Sequence, residues 1–228
     1  MVAVKCCGIR RLEDVDLCLE AGADYVGVIR VEGTPRFQPL SFLEQVVKDT
    51  RAFPHSQVVA VYQNPPLSQI QNDIQASGVS IVQLHGTESL QDVMVFNQAL
   101  KNKATLWKVF NLLELPPLAC IKAYAPYVES FLLDAPKSFK QEIPWESLAL
   151  APILKTCQDL GVPVFLAGKL RTEKIPLVLS RFQVTGLDVA SGLEDPETGF
   201  KDAEKVRVFI REAKIGDVAV PPTDTSAD

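Results

Sequence analysis

The chain has 228 residues, 47% hydrophobic and 22% charged, with a net charge of −5. That is enough apolar material for a full core in one large domain or two small ones, and the lack of any Lys/Arg run argues against a nucleic-acid surface. Lys5 interrupts the N-terminal apolar stretch too early for a signal peptide, no apolar run approaches membrane-spanning length, and the five cysteines (Cys6, Cys7, Cys18, Cys120, Cys157) lack framework spacing, so reduced thiols in the cytoplasm are expected.

Val2 to Ile9 reads as the first strand and its turn, with Lys5 and Cys7 on one face and Val4 and Cys6 on the other. A cysteine at a strand end is by default a small buried hydrophobe, but a lysine two residues earlier on the same face favours its thiolate. Leu12 to Ala21 has helical spacing and stops at Gly22; Asp24 to Ile29 is a second strand. The loop Arg30 to Pro39 leads to a helix capped by Ser41 and running to Arg51. Gln57 to Tyr62 is strand three, Ser68 to Ala76 a helix closed by Gly78, and Val79 to Leu84 strand four.

After the turn His85-Gly86-Thr87, Ser89 to Leu100 is amphipathic and Thr105 to Phe110 is strand five. Pro116 and Pro117 interrupt Leu112 to Tyr124 and predict a short or broken helix there. Tyr127 to Leu133 is strand six, ending at Asp134, and the loop Ala135 to Pro144 leads to a helix over Glu146 to Leu160. Val162 to Leu166 is strand seven, Thr172 to Leu179 a helix, Val184 to Val189 strand eight and Ala203 to Ala213 the last helix. From Gly216 the composition turns to Pro, Thr, Asp and Ala, so residues 1–215 are expected to form the fold and 216–228 a disordered tail.

Eight alternations of strand and helix, with strands that are continuous apolar runs, predict a single (β/α)8 TIM barrel in the α/β class over a doubly wound open sheet. In such a barrel the groups that do chemistry lie just after each strand. Here they are Cys7, Arg36, Gln83, His85, Asp134, Gly168, Lys169, Asp188, Ser191 and Gly192. The glycine turns after strands seven and eight suit a phosphate, because exposed backbone N–H groups there can receive an anion. Arg36, in the Pro-bracketed loop Thr34 to Phe37, can clamp a carboxylate or simply be solvated. Lys5 and Asp188, on neighbouring first and last strands, can pair beside Cys7 or form a purely structural interior ion pair. Neither His85 nor His55 stands in a metal-ligand spacing.

Taken together, these residues make the sequence resemble the phosphoribosylanthranilate isomerases of tryptophan biosynthesis. The family's K-x-C-G-I opening is Lys5 to Ile9, E-A-G-A-D is Glu20 to Asp24, and S-P-R-Y is Thr34 to Phe37. Q-L-H-G is Gln83 to Gly86, L-L-D is Leu132 to Asp134, and D-V-S-S-G-V-E with G-x-K-D is Asp188 to Glu194 with Gly199 to Asp202. The resemblance implies a cofactor-independent Amadori rearrangement of a small phosphorylated substrate, with no metal, and leaves the oligomeric state open. It further implies Cys7 as general base and Asp134 as general acid, which calls for a lowered thiol pKa and a raised carboxyl pKa. Arg36 would hold the anthranilate carboxylate, Gly168, Lys169, Ser191 and Gly192 the phosphate, and Gln83, His85 and Asp188 would line the pocket.

Two positions and one loop depart from the family. Lys169 replaces the second glycine of L-A-G-G-L, where a lysine either adds charge to the phosphate or obstructs it. Ala190 replaces a serine, and Ala135 to Trp145 is shorter than the family's glycine-rich loop and has no glycine. In the family that loop folds over the substrate and excludes water. Two other readings share the pattern: a barrel that binds a phosphorylated ligand without turnover, and an isomerase of a related phosphoribosyl compound. The second relies on two aspartates, and Cys7 stands where one of them would be.

Overall fold

The computed structural model describes residues 1–216 except Lys137, so all but the first residue of the expected tail lies outside the described residues. Eight parallel strands close into a ring in chain order: β1 (Ala3–Cys7), β2 (Tyr25–Ile29), β3 (Gln57–Tyr62), β4 (Ile81–Leu84), β5 (Thr105–Asn111), β6 (Ser130–Asp134), β7 (Val164–Leu166) and β8 (Gly186–Val189). Between them, and after β8, run α1 (Leu12–Glu20), α2 (Leu40–Thr50), α3 (Leu67–Ser77), α4 (Leu90–Leu100), α5 (Leu118–Tyr124), α6 (Ala151–Asp159), α7 (Ile175–Arg181) and α8 (Ala203–Gly216).

The strands are apolar on both faces because each face meets its own core. Val4, Cys6, Val26, Val28 and Ala60 pack outward against the helices, while Val59, Val61, Ile81, Trp107, Leu132 and Phe165 fill the barrel. Low in the interior, Tyr25, Trp107 and Phe165 stack on one another with ring centroids 4.6–5.6 Å apart. Gly186 makes room for this plug, since a Cβ there would come within 2.2 Å of the Phe165 ring. The plug fills the lower barrel and leaves the C-terminal ends of the strands as the open mouth.

Proline accounts for most of the shifted boundaries. The helix expected from Glu146 begins at Ala151, with Pro152 in its first turn; an earlier start would put that proline in the interior against the Leu148 carbonyl. Pro176 likewise sits in the first turn of α7, and Thr172–Lys174 is a 3-10 turn. The expected start of strand six is a 3-10 turn over Ala125–Tyr127 that contains Pro126. Ser41 is not a cap: α2 starts at Leu40 after Pro39, with no side-chain cap, because Pro39 already supplies an extended residue before the first turn.

Candidate active site

A cavity of about 700 Å³ opens at the C-terminal mouth. Its wall includes Cys7, Arg36, His85, Asp134, Gly168, Lys169, Asp188, Ser191 and Gly192, so the strand-end positions singled out in the sequence converge. Gln83 is the exception. It lies two residues before His85 on β4 and therefore one layer deeper, fully buried beside its register partner Trp107. It reaches the cavity only through His85, with its Nε2 3.1 Å from His85 Nδ1. If the amide donates there, the imidazole carries its proton on Nε2, which lies 3.4 Å from Asp134 Oδ2.

The register of β1 against β8 and β2 builds the other side of the site. Lys5 faces Asp188, and Nζ lies 3.0 Å from Oδ1 with the lysine wholly buried. Cys7 faces Gly27. A Cβ at Gly27 would stand 2.7 Å from Cys7 Sγ and 3.2 Å from Lys5 Nζ, so glycine in β2 is what leaves room for both. Burial pushes the Cys7 thiol up, Lys5 pulls it down and Asp188 pushes it up again, leaving it above its ordinary value. The expected net lowering by Lys5 is therefore corrected: desolvation of the thiolate outweighs the nearby ammonium. For Lys5 itself burial opposes the charge, but Asp188 and Cys7 outweigh it and hold the lysine protonated. The ion pair is thus both interior and beside Cys7.

The turn that carries His85 is held from below. Lys108 projects from the outward face of β5 and donates to Glu88 Oε2 at 2.7 Å and to the Gly86 carbonyl at 2.9 Å. Glu88 in turn accepts from the backbone N–H groups of Gly86 and Asn64. Arg36 is engaged as well: Nε and Nη2 donate to the two carboxylate oxygens of Glu194 at 2.7 and 2.6 Å. Lys201, buried, donates to the carbonyls of Cys7 (2.7 Å) and Ala190 (2.9 Å) and approaches Glu194 Oε1 at 3.6 Å.

The turns after β7 and β8 pack against each other; a Cβ at Gly192 would meet the Leu170 carbonyl oxygen at 1.9 Å. Gly168 has φ +103° and Lys169 has φ +50°, so the lysine keeps the left-handed backbone that a glycine would adopt there. Its Nζ donates to the Gln141 carbonyl at 2.9 Å and lies 5.7 Å from the Phe139 ring centre. Lys169 therefore binds the loop after β6. That loop is further anchored by Ile143 and Trp145, both buried in the outer core.

Sequence reasoning missed Glu88, Lys108, Glu194 and Lys201 as site-building residues. A signal was present for Lys108, a charge in the middle of the apolar run Leu106 to Val109. Glu194 and Lys201 lie in matched motifs, but their partners are 158 and 194 positions away.

The family model for N-(5'-phosphoribosyl)anthranilate isomerase matches residues 4–212. The N-(5'-phosphoribosyl)anthranilate isomerase of Aquifex aeolicus is 33% identical over 219 residues, covering 94% of this chain and 99% of that protein. The crystal structure of phosphoribosyl anthranilate isomerase from Thermotoga maritima superposes with a TM-score of 0.76 at 25% identity, over 94% of this chain and 99% of that one. A further structure of such an isomerase, in complex with reduced 1-(o-carboxyphenylamino)-1-deoxyribulose 5-phosphate, gives a TM-score of 0.75 at 24% identity over 94% and 99% of the two chains. With the match running through every strand of the barrel, the chain belongs to the N-(5'-phosphoribosyl)anthranilate isomerase family.

Proposed function

We propose that the protein converts N-(5'-phosphoribosyl)anthranilate to the carboxyphenylamino-deoxyribulose phosphate, with Asp134 as general acid and Cys7 as general base. The observation that carries this is the presence of Cys7 and Asp134 on the wall of one cavity, three strands apart around the ring, with the β7 and β8 glycine turns beside them. Asp134 donates its proton to the furanose ring oxygen; the C1–O bond breaks and the anthranilate nitrogen takes up the positive charge as an iminium. Cys7 then removes the proton from C2, giving an enolamine that tautomerises to the ketone. Atoms balance without an oxidant or cofactor, since one proton is supplied and one removed.

The phosphate is assigned to the turns holding Gly168, Lys169, Ser191 and Gly192, whose backbone can approach it. Arg36 receives the anthranilate carboxylate, and His85 and Asp188 line the space between. Only the thiolate of Cys7 can take the C2 proton; burial keeps that form a minor fraction, and the Lys5 ammonium beside it is what favours it. Five free thiols fit the expected cytoplasmic setting. The test is loss of anthranilate fluorescence when the protein is added to freshly made substrate, with Asp134→Asn alongside. Turnover by the wild type and a loss of at least about 100-fold in the variant are expected; an inactive wild type overturns the assignment.

A further inference from the structure

We infer that Glu194, seated by Lys201, is a positioning residue that holds Arg36 with one edge of its guanidinium turned to the substrate carboxylate. The inference rests on the carboxylate assignment above and adds residues to it. A guanidinium has five N–H donors on three edges. Glu194 takes the edge formed by Nε and Nη2, at 2.7 and 2.6 Å, which leaves the Nη1–Nη2 edge available for a second carboxylate. Arg36 lines the cavity while Glu194 does not, so the glutamate holds the arginine from outside the cavity.

Placement is tight on the other side too. Arg36 Cδ lies over Gly8, where a Cβ would come within 2.6 Å of it. An arginine paired only with a glutamate would be neutral as a unit and would attract an anion weakly. Lys201, 1% exposed and 3.6 Å from Glu194 Oε1, supplies the second cation and leaves the cluster with a net positive charge. The same ammonium holds the carbonyls of Cys7 and Ala190. One buried group thereby ties the carboxylate clamp to the end of β1 and to the start of the β8 turn.

The experiment compares binding of two probes by calorimetry: the reduced carboxyphenylamino-deoxyribulose phosphate and its phenylamino counterpart without the ring carboxylate. Binding is read independently of turnover, so an inactive wild type would sink the functional assignment and still leave this test intact. The wild type should prefer the carboxylate probe. In Glu194→Gln that preference should fall by about tenfold or more, with affinity for the phenylamino probe unchanged within about twofold. In an Arg36→Met background the same change should leave the preference unaltered. Glu194→Asp, which keeps the charge, should retain part of it and guards against a folding defect in the glutamine variant. An equal loss for both probes would make Glu194 merely structural, and a gain for the carboxylate probe would make it a competitor; either overturns the inference, as does a wild type with no preference.

Discussion

Two sides of the mouth are built by different physics. Around β8, β1 and β2 the site is made of buried and half-buried charges, each paired, with glycine opposite Cys7. Lys5 meets Asp188, Lys201 meets two backbone carbonyls, and Arg36 is held on both carboxylate oxygens of Glu194. Around β6 and β7 the loop 135–150 has no glycine and is anchored by apolar Ile143 and Trp145, with Lys169 and Lys174 reaching across to Gln141 and Glu142. Buried charge pairs are costly to break and hold atoms in place; exposed lysine contacts contribute little individually. The first side therefore fixes Cys7 and Arg36, and the second, which carries Asp134 at the end of β6, is bordered by a pinned loop without glycine.

Breaking the first side should have the largest effect. Lys5→Met strands Asp188 inside the barrel and should cost about 3–5 kcal/mol of stability, read by urea denaturation. The same variant should move the Cys7 titration, followed by the Cβ carbon shift of labelled cysteine. In the wild type the thiol ionises above its ordinary value, so the thiolate is a minor species at neutral pH and grows as pH rises. Removing the Lys5 ammonium removes a lowering influence and should push the inflection higher. A downward move would contradict the role given to Lys5.

Gly27→Ala comes next. Its Cβ would stand 2.7 Å from Cys7 Sγ and 3.1 Å from Cys7 Cα, so the thiol or its strand must shift. A stability loss of about 1–3 kcal/mol and a fall of about 100-fold in kcat/KM are expected. A variant with normal activity would show that the position of Cys7 is not critical.

On the second side the effects should be small and local. Lys169→Met cuts the contact to Gln141 without touching the backbone; amide exchange in residues 138–145 should speed up while the melting midpoint stays within a few degrees. Lys169→Gly removes the cost of a left-handed lysine, about 1 kcal/mol, but frees the unfolded chain, so net stability should move by less than about 1 kcal/mol. Lys174→Ala, whose partner Glu142 is 81% exposed and 3.6 Å away, should stay within about 0.5 kcal/mol. A larger loss would mean that the loop depends on its lysines and not on its apolar anchors.

The barrel was legible because continuous apolar strands and regular helix stops can be read locally. The strand-end residues were legible for the same reason, since in this fold the end of each run marks the mouth. Helix starts were less so: Pro152 and Pro176 fit the first turn of a helix as well as they break its interior, and only packing chooses. The thiol direction at Cys7 was misjudged because alternation reveals Lys5 but not the depth of burial. The Glu194 clamp on Arg36 and the turn of Lys169 toward Gln141 depend on contacts across the mouth that no local pattern encodes.

Removal of the C2 proton by Cys7 is the central step of the proposed reaction. Its most direct test is turnover of N-(5'-phosphoribosyl)anthranilate by Cys7→Ala against the wild type, with the urea midpoint measured in parallel. A fall in kcat of at least about 100-fold, with KM and midpoint little changed, is the result predicted. A variant that keeps kcat within about threefold of the wild type, a change of well under 1 kcal/mol, would contradict it.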